Sequence, residues 1–180
     1  MMRRRAERRE ERREERHEQT HYRMRQNLIS FGDDYWIENN HGQRVFRVDG
    51  KMLRVRQTLN FEDAHGRQLC RIQERMARVR DSMEIEDADG KRIAMVHKAM
   101  ITPLRERWAV DVANGPDLEV QGNILDHEYH INAGRDQVAE ISKRWFRIAD
   151  TYGVEIAPDQ NDILILAITV AVDAMAHGGH

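Results

Sequence analysis

The sequence has little cysteine and little net charge, and each shortage excludes a class of protein. A single cysteine, Cys70, excludes a fold held together by disulfides. The 29 Lys and Arg residues are offset by 31 Asp and Glu residues, so no overall field attracts nucleic acid or an acidic membrane. The N-terminus leads into charged residues rather than into an apolar signal sequence, and we therefore expect a cytoplasmic protein.

The overall composition is that of one soluble globular domain. The chain has 180 residues, of which 40% are hydrophobic and 33% are charged. It is therefore too apolar for wholesale disorder and too polar for a protein with several membrane spans. A length of 180 residues suits one domain better than two.

The first residues differ from the rest of the chain. Eight Arg and six Glu lie between Arg3 and Glu18, with no apolar face to bury. We expect residues 1–20 to be a charged tail and residues 21–180 to form the folded domain. The interleaved glutamates weaken the field that a phosphate-binding arm needs, so nucleic acid is not an expected partner.

The longest apolar stretch is Ile163–Ala176, and it predicts a helix enclosed by protein. As a helix it spans about 21 Å, which is less than the roughly 30 Å hydrocarbon core of a bilayer. Its β-branched residues would also allow a buried strand, but alanines at i, i+4 and i+7 favour a helix. Asp159 and Asp162 have the spacing of an N-cap and an N3 residue. Because this helix has no polar face, something must surround it.

A repeat of about 24 residues fills the chain before that helix. Its first mark is a turn-forming glycine preceded by a run of alternating polar and apolar residues, which is typical of a β-hairpin. Its second mark is a pair of apolar residues four positions apart, first at Phe31 and Tyr35 and last at Ile148 and Tyr152. The glycines are Gly42, Gly66, Gly90, Gly115 and Gly134.

Five hairpins with one strand before them and one after predict about twelve antiparallel strands. Side chains alone fill a barrel of about eight strands, whereas a larger barrel leaves a lumen. A helix is about 10 to 12 Å wide with its side chains. We therefore predict an all-β fold: a closed, twelve-stranded antiparallel barrel around the central apolar C-terminal helix. A β-propeller and stacked β-sandwiches are the alternatives, but propeller blades need about four strands per repeat rather than two.

Several motifs resemble those of a known family. They are Asp34–Glu38, Val45–Lys51, Arg78–Ile85, Leu104–Trp108, Val120–Ile124, Ser142–Phe146 and Asp150–Val154. From about Tyr22 to His177 the chain resembles the LURP-one-related family, whose fold is similar to the tubby C-terminal domain and the phospholipid scramblases. The resemblance implies a twelve-stranded barrel with a central helix, an association with membranes and phosphoinositides, and no agreed catalytic residues. With three prolines and one cysteine the chain lacks the scramblase N-terminus and acylation cluster, so scrambling is not expected.

Other candidate motifs have simpler interpretations. His127 and His130 are too close for a helical zinc motif, and we interpret them as surface or turn histidines. The acidic Asp87–Gly90 segment lacks calcium ligands at the required positions and is interpreted as a hairpin turn. Cys70 is interpreted as a core or wall residue, and Asp173 as a lone acid facing water at the mouth of the barrel. We expect no enzyme activity, no cofactor and no metal ion.

Arginines carry the remaining functional prediction. In an up-and-down barrel the residues between successive hairpins all reach one end, where guanidinium groups could bind phosphates in a bidentate manner. Pairing of these arginines with an equal number of acids in the same segments is the alternative. The predicted ligand-binding arginines are Arg54, Arg56, Arg78, Arg80, Arg105, Arg107 and Arg147.

The sequence therefore leaves two main functions open. One is a non-catalytic barrel that binds anionic phospholipid or phosphoinositide headgroups through an arginine-rich rim, as a peripheral membrane protein. The other is a structural or protein-interaction scaffold without a small-molecule ligand. Exposed, unpaired arginines would favour the first, and arginines bonded to acids would favour the second.

Overall fold

Twelve strands and one helix make up the described structure. The computed structural model describes residues 20–25, 35–53, 56–75, 82–99, 106–145 and 151–177. The strands are β1 Thr20–Arg25, β2 Tyr35–Asn39, β3 Arg44–Leu53, β4 Arg56–Asp63, β5 Gln68–Arg75, β6 Ser82–Asp87, β7 Arg92–Lys98, β8 Glu106–Val112, β9 Leu118–Asn123, β10 Glu128–Ala133, β11 Asp136–Ser142 and β12 Thr151–Ile156. The helix α1, Asp162–His177, follows the last strand.

The strands form a closed antiparallel barrel. Each strand pairs with its neighbours in sequence, and β1 pairs with β12 from Thr20 opposite Ile156 to Arg25 opposite Thr151. The pairing of β1 with β2 completes the ring. The predicted twelve-stranded all-β barrel is therefore confirmed, as are the five glycine-centred hairpins.

Three of the hairpin turns use the same local chemistry. In each, the last residue of the first strand has a side-chain oxygen that accepts two hydrogen bonds. The donors are the backbone N–H groups two and four residues further along the chain. The glycine three residues on has a φ between 73° and 81°, a conformation that other residues adopt only with strain. The accepting residues are Asn39, Asp63 and Asp87, which are 24 residues apart. The interpretation of Asp87–Gly90 as a turn is confirmed.

The barrel has two distinct ends. We call the end with the five glycine turns the hairpin end. We call the opposite end, where the even-numbered strands begin, the linker end. The helix α1 enters near the hairpin end, because β12 finishes there, and its last turn lies at the linker end, where His177 contacts the backbone oxygen of Leu125.

The helix α1 is the core of the barrel, as predicted. Its residues from Ile165 to Ala174 are all buried. The predicted cap was wrong by two positions: the Asn161 side chain, not that of Asp159, accepts the Leu164 N–H at 3.1 Å. Asp162 is instead the first helical residue and accepts a 2.6 Å hydrogen bond from the Tyr22 hydroxyl. No helix in the described part of the chain is both long enough and apolar enough to cross a bilayer.

Candidate functional site

One inward-facing layer of side chains surrounds the end of α1 at the linker end. Each of the six even-numbered strands contributes one inward-facing residue from among its first four positions. All six of these residues are buried. They occupy the second position of the apolar pairs that marked the sequence repeat. The members of this layer are Tyr35, Leu59, Met83, Trp108, Tyr129 and Tyr152.

An acidic side chain lies inside this layer. Asp173, in the next-to-last turn of α1, is only 2% exposed. The prediction that it faces water at the barrel mouth was therefore wrong. The 124–127 turn brings His127 inward to it: His127 has a positive φ of 52° and is 1% exposed. Of the two interpretations of His127, the turn is confirmed and the surface position was wrong, whereas His130 is exposed as expected.

Two histidines contact the Asp173 carboxylate. Nε2 of His127 lies 2.6 Å from Oδ1 of Asp173, and Nδ1 of His177 lies 3.0 Å from the same oxygen. The two imidazole rings stack at 4.9 Å with an interplanar angle of 5°. The other face of His127 stacks on Tyr152 at 4.3 Å. We call His127, Asp173 and His177 the buried triad.

The buried triad is strongly polarised. Burial by itself would raise the pKa of Asp173, but the hydrogen bonds and positive charge of the two histidines outweigh burial and lower that pKa. The hydrogen bond to Asp173 raises the pKa of His177 from 6.5 to about 9. Burial, with the nearby Asp173 charge, raises the pKa of Tyr35 and Tyr152 well above their ordinary values. The site therefore favours a carboxylate with a positive partner and neutral tyrosines.

Several polar atoms around the triad lack a hydrogen-bond partner among the described residues. They are Oδ2 of Asp173, Nδ1 of His127 and the hydroxyls of Tyr35 and Tyr152, and all are buried. A buried polar atom without a partner costs about 1 to 3 kcal/mol. Their concentration at one place distinguishes the triad from the apolar rest of the barrel interior.

The predicted arginines fall mainly outside the described residues. Arg54, Arg78, Arg80, Arg105 and Arg147 are in this group, and Arg56 begins β4 with its side chain outside the described part. Arg107, in β8 near the linker end, is 53% exposed and lies 3.5 Å from Glu119. The structure thus leaves the predicted rim as a prediction at six of its seven positions.

Two further arginines lie at the linker end without having been predicted there. Arg75, the last residue of β5, pairs with Glu84, and Arg144 lies 3.5 Å from Glu128. Arg75 is 50% exposed and Arg144 is 83% exposed. Arg75, Arg107 and Arg144 are therefore each at least half exposed and each lie beside a glutamate.

Two large apolar side chains are exposed at the same end of the barrel. Leu125, in the 124–127 turn, is 56% exposed, and Trp145, which follows β11, is 41% exposed. The Trp145 ring reaches back along the outer wall to within 6.4 Å of the His21 ring. Lys143 and Arg144 directly precede Trp145. These are the exposed large hydrophobic residues of the described structure.

Cys70 belongs to the core and has no place in this site. It is fully buried, and burial raises the pKa of its thiol to about 12. A thiol with so high a pKa is a poor nucleophile. The interpretation of Cys70 as a core residue is confirmed.

Comparison with known proteins agrees with this architecture. An Arabidopsis thaliana protein of known X-ray structure superposes with a TM-score of 0.65 at 13% sequence identity, and the match covers 88% of this chain and 92% of that one. Among curated proteins, none matches the chain in sequence. The sequence model of the LURP-one-related family matches residues 20–173. This match spans the whole barrel and most of α1, and the chain therefore belongs to the LURP-one-related family.

Proposed function

We propose that the protein is a non-catalytic barrel that binds anionic phospholipid headgroups at a membrane surface through its linker end. The observation that supports this proposal is the combination of exposed Leu125 and Trp145 with Lys143 and Arg144 at that end. Tryptophan favours the interface between headgroups and acyl chains, because its ring is partly apolar and partly polar. Basic residues beside such an anchor add attraction to anionic lipid.

The glutamate partners of the exposed arginines are compatible with headgroup binding. A guanidinium has five N–H donors, and one carboxylate uses at most two of them. An exposed ion pair is worth only about 0 to 1 kcal/mol. Arg107 and Arg144, each 3.5 Å from its glutamate, can therefore bind a phosphate in addition to or in place of the carboxylate.

The predicted arginines would extend this surface. Arg78 and Arg80 fall in the sequence between the last residue of β5 and the first residue of β6, both of which lie at the linker end. Each basic residue near an anionic surface contributes about 1 kcal/mol, and the attraction fades beyond a Debye length of about 8 Å at physiological salt. Binding should consequently be weak, additive over several residues and sensitive to salt.

Vesicle flotation tests the proposal with a matched pair of charge reversals. The purified chain is mixed with vesicles of phosphatidylcholine alone, or with added phosphatidylserine or phosphoinositide, at low and at physiological salt. We expect binding only to the anionic vesicles and a marked loss of binding in K143E/R144E. The control K91E/R135E makes the same charge change in two exposed residues at the hairpin end and should bind like the unmodified chain.

Two further variants separate the apolar from the electrostatic contribution. Replacement of Leu125 and Trp145 by serine should weaken binding to anionic vesicles without changing its salt dependence. Charge reversal at Arg56, Arg80 and Arg105 together should abolish binding while the barrel stays folded. Equal binding to neutral vesicles, or equal loss in the hairpin-end control, would reject the linker end as a headgroup site.

The second candidate is a structural or protein-interaction scaffold, and the outer wall of the barrel favours it. Four arginines on neighbouring strands pair with glutamates there: Arg23 with Glu38, Arg47 with Glu62, Arg75 with Glu84, and Arg107 with Glu119. Such pairing leaves less free positive potential for lipid. Under this function, none of the variants shows lipid-dependent binding.

A further inference from the structure

We propose that His127, Asp173 and His177 bind one divalent transition-metal ion, of the class of Zn²⁺, inside the linker end of the barrel. One ligand atom from each residue lies within 4.8 Å of the others. No motif in the sequence predicts this site, because His127 is 46 residues from Asp173 and reaches it only through the fold. The proposal is independent of lipid binding.

The donor set selects the class of metal. Two imidazole nitrogens and one carboxylate suit Zn²⁺ and its neighbours in the first transition row, whereas Ca²⁺ and Mg²⁺ prefer oxygen ligands alone. Three protein ligands leave a fourth position of a tetrahedral zinc ion for water. Bond lengths of about 2.0 to 2.2 Å would place the ligand atoms roughly 3.3 Å apart. The observed separations of 2.6 and 3.0 Å are shorter than this. The two rings, which stack in parallel, would have to move apart and tilt for both nitrogens to point at one ion.

The unpartnered polar atoms are the second observation that points to a ligand. Asp173 is 2% exposed, and its Oδ2 atom has no hydrogen-bond partner among the described residues. The hydroxyls of Tyr35 and Tyr152 are likewise buried without a hydrogen-bond partner among the described residues. An ion held by the triad, with one bound water, would supply charge to Oδ2 and a hydrogen-bonding partner to the hydroxyls.

The triad combines two buried side chains with one that is partly exposed. Asp173 and His177 are one turn apart on α1, so the helix fixes the spacing of their backbones, while the His177 side chain can still adjust. His127 is clamped between the rings of Tyr152 and His177. The His177 side chain is 21% exposed, and it gives an ion a route from solvent at the linker end.

Metal titration of the full chain, purified without a histidine tag and stripped with a chelator, tests the proposal. Calorimetry with Zn²⁺ should show one saturable site, and Mg²⁺ and Ca²⁺ should show none. Co²⁺ should give the visible absorption band of a four-coordinate site, and Zn²⁺ should abolish that band. Zn²⁺ should also raise the melting temperature, since it binds only the folded chain.

Single substitutions distinguish this site from surface histidines. His177→Ala removes a partly exposed ligand and should weaken Zn²⁺ binding at least tenfold while the barrel still melts cooperatively. Asp173→Asn should do the same and abolish the Co²⁺ band. The control His130→Ala removes an exposed histidine of β10 and should leave the affinity unchanged.

Three results would overturn the proposal. One is the absence of saturable Zn²⁺ binding, which would leave ordered water as the partner of the orphaned atoms. Another is unchanged affinity in a folded His177→Ala variant. The third is equal weakening by His130→Ala. None of them depends on whether the protein floats with anionic vesicles.

Discussion

The three residues of the buried triad should stabilise the barrel only when all of them are present. The double substitution H127L/H177L leaves the Asp173 carboxylate buried without its two histidine partners, whereas the triple substitution H127L/D173L/H177L removes the carboxylate as well. Breaking a buried pair on one side costs about 3 to 5 kcal/mol, but replacing the whole pair by apolar groups is often neutral. We therefore expect the double variant to be strongly destabilised and the triple variant to recover most of the loss.

The chemistry of the carboxyl group sets an upper bound on the free energy of unfolding that the double variant loses. An unpartnered Asp173 can avoid the cost of a buried negative charge by taking up a proton. At pH 7 this costs about 4 kcal/mol, since the ordinary pKa is about three units lower and each unit is worth about 1.36 kcal/mol. Net stabilities are about 5 to 15 kcal/mol, so a loss of about 3 to 4 kcal/mol lowers the melting temperature by about 6 to 16 °C.

Thermal and urea denaturation, followed by circular dichroism in the presence of a chelator, measure these losses. The deficit of the double variant should shrink as the pH falls from 7 towards 4, because the carboxyl group then takes up its proton at little cost. A triple variant no more stable than the double variant would refute the reasoning. So would a deficit that is independent of pH.

Three further predictions concern the helix, one glycine and the dependence on pH. Deletion of Ile163–Met175 removes five fully buried large side chains, worth roughly 8 to 15 kcal/mol in all, and should prevent folding; a soluble truncation that melts cooperatively would contradict this. Gly122→Ala places a Cβ 2.5 Å from a backbone oxygen at a φ of 141° and should destabilise the barrel by about 1 to 3 kcal/mol in urea, whereas Gly115→Ala meets only ordinary contacts and should be near neutral. The raised pKa of His177 means that its contribution is complete below pH 6.5 and is lost as the pH rises through about 9. The lowered pKa of Asp173 means that its contribution is complete above pH 3.8 and is lost in stronger acid. The melting temperature of the metal-free protein should therefore be highest between pH 3.8 and pH 6.5. In H177A the melting temperature should fall less as the pH rises towards 9.

The barrel could be predicted from the sequence because its repeat is local. Turn glycines at 24-residue spacing and alternating runs set the hairpins, and an apolar helix without a polar face required an enclosing wall. The helix start was harder to place: Asn161 caps α1, whereas Asp159 has a φ of 62° and lies before it. A short run of capping residues gives several equivalent choices, and only the path of the preceding loop decides among them.

The buried triad could not be predicted in the same way. Asp173 was visible in the sequence as an acid on an apolar helix, and His177 follows it by one helical turn. Nothing local indicates that a positive φ turns His127 inward, since a turn residue can face the solvent or the interior. A lone acid within an apolar helix is therefore as compatible with a distant buried partner as with contact to solvent.

The closure of the barrel by its first and last strands has a consequence for how the chain folds. Thr20 pairs with Ile156, and the Tyr22 hydroxyl bonds to Asp162, 140 residues further along the chain. Contacts over such distances slow folding, and all-β proteins of this kind fold in milliseconds to seconds. A ribosome that has made only β1 to β11 carries strands with apolar inner faces, an open edge and no helix to cover them. We therefore expect the nascent chain to be most prone to aggregate before β12 and α1 have emerged.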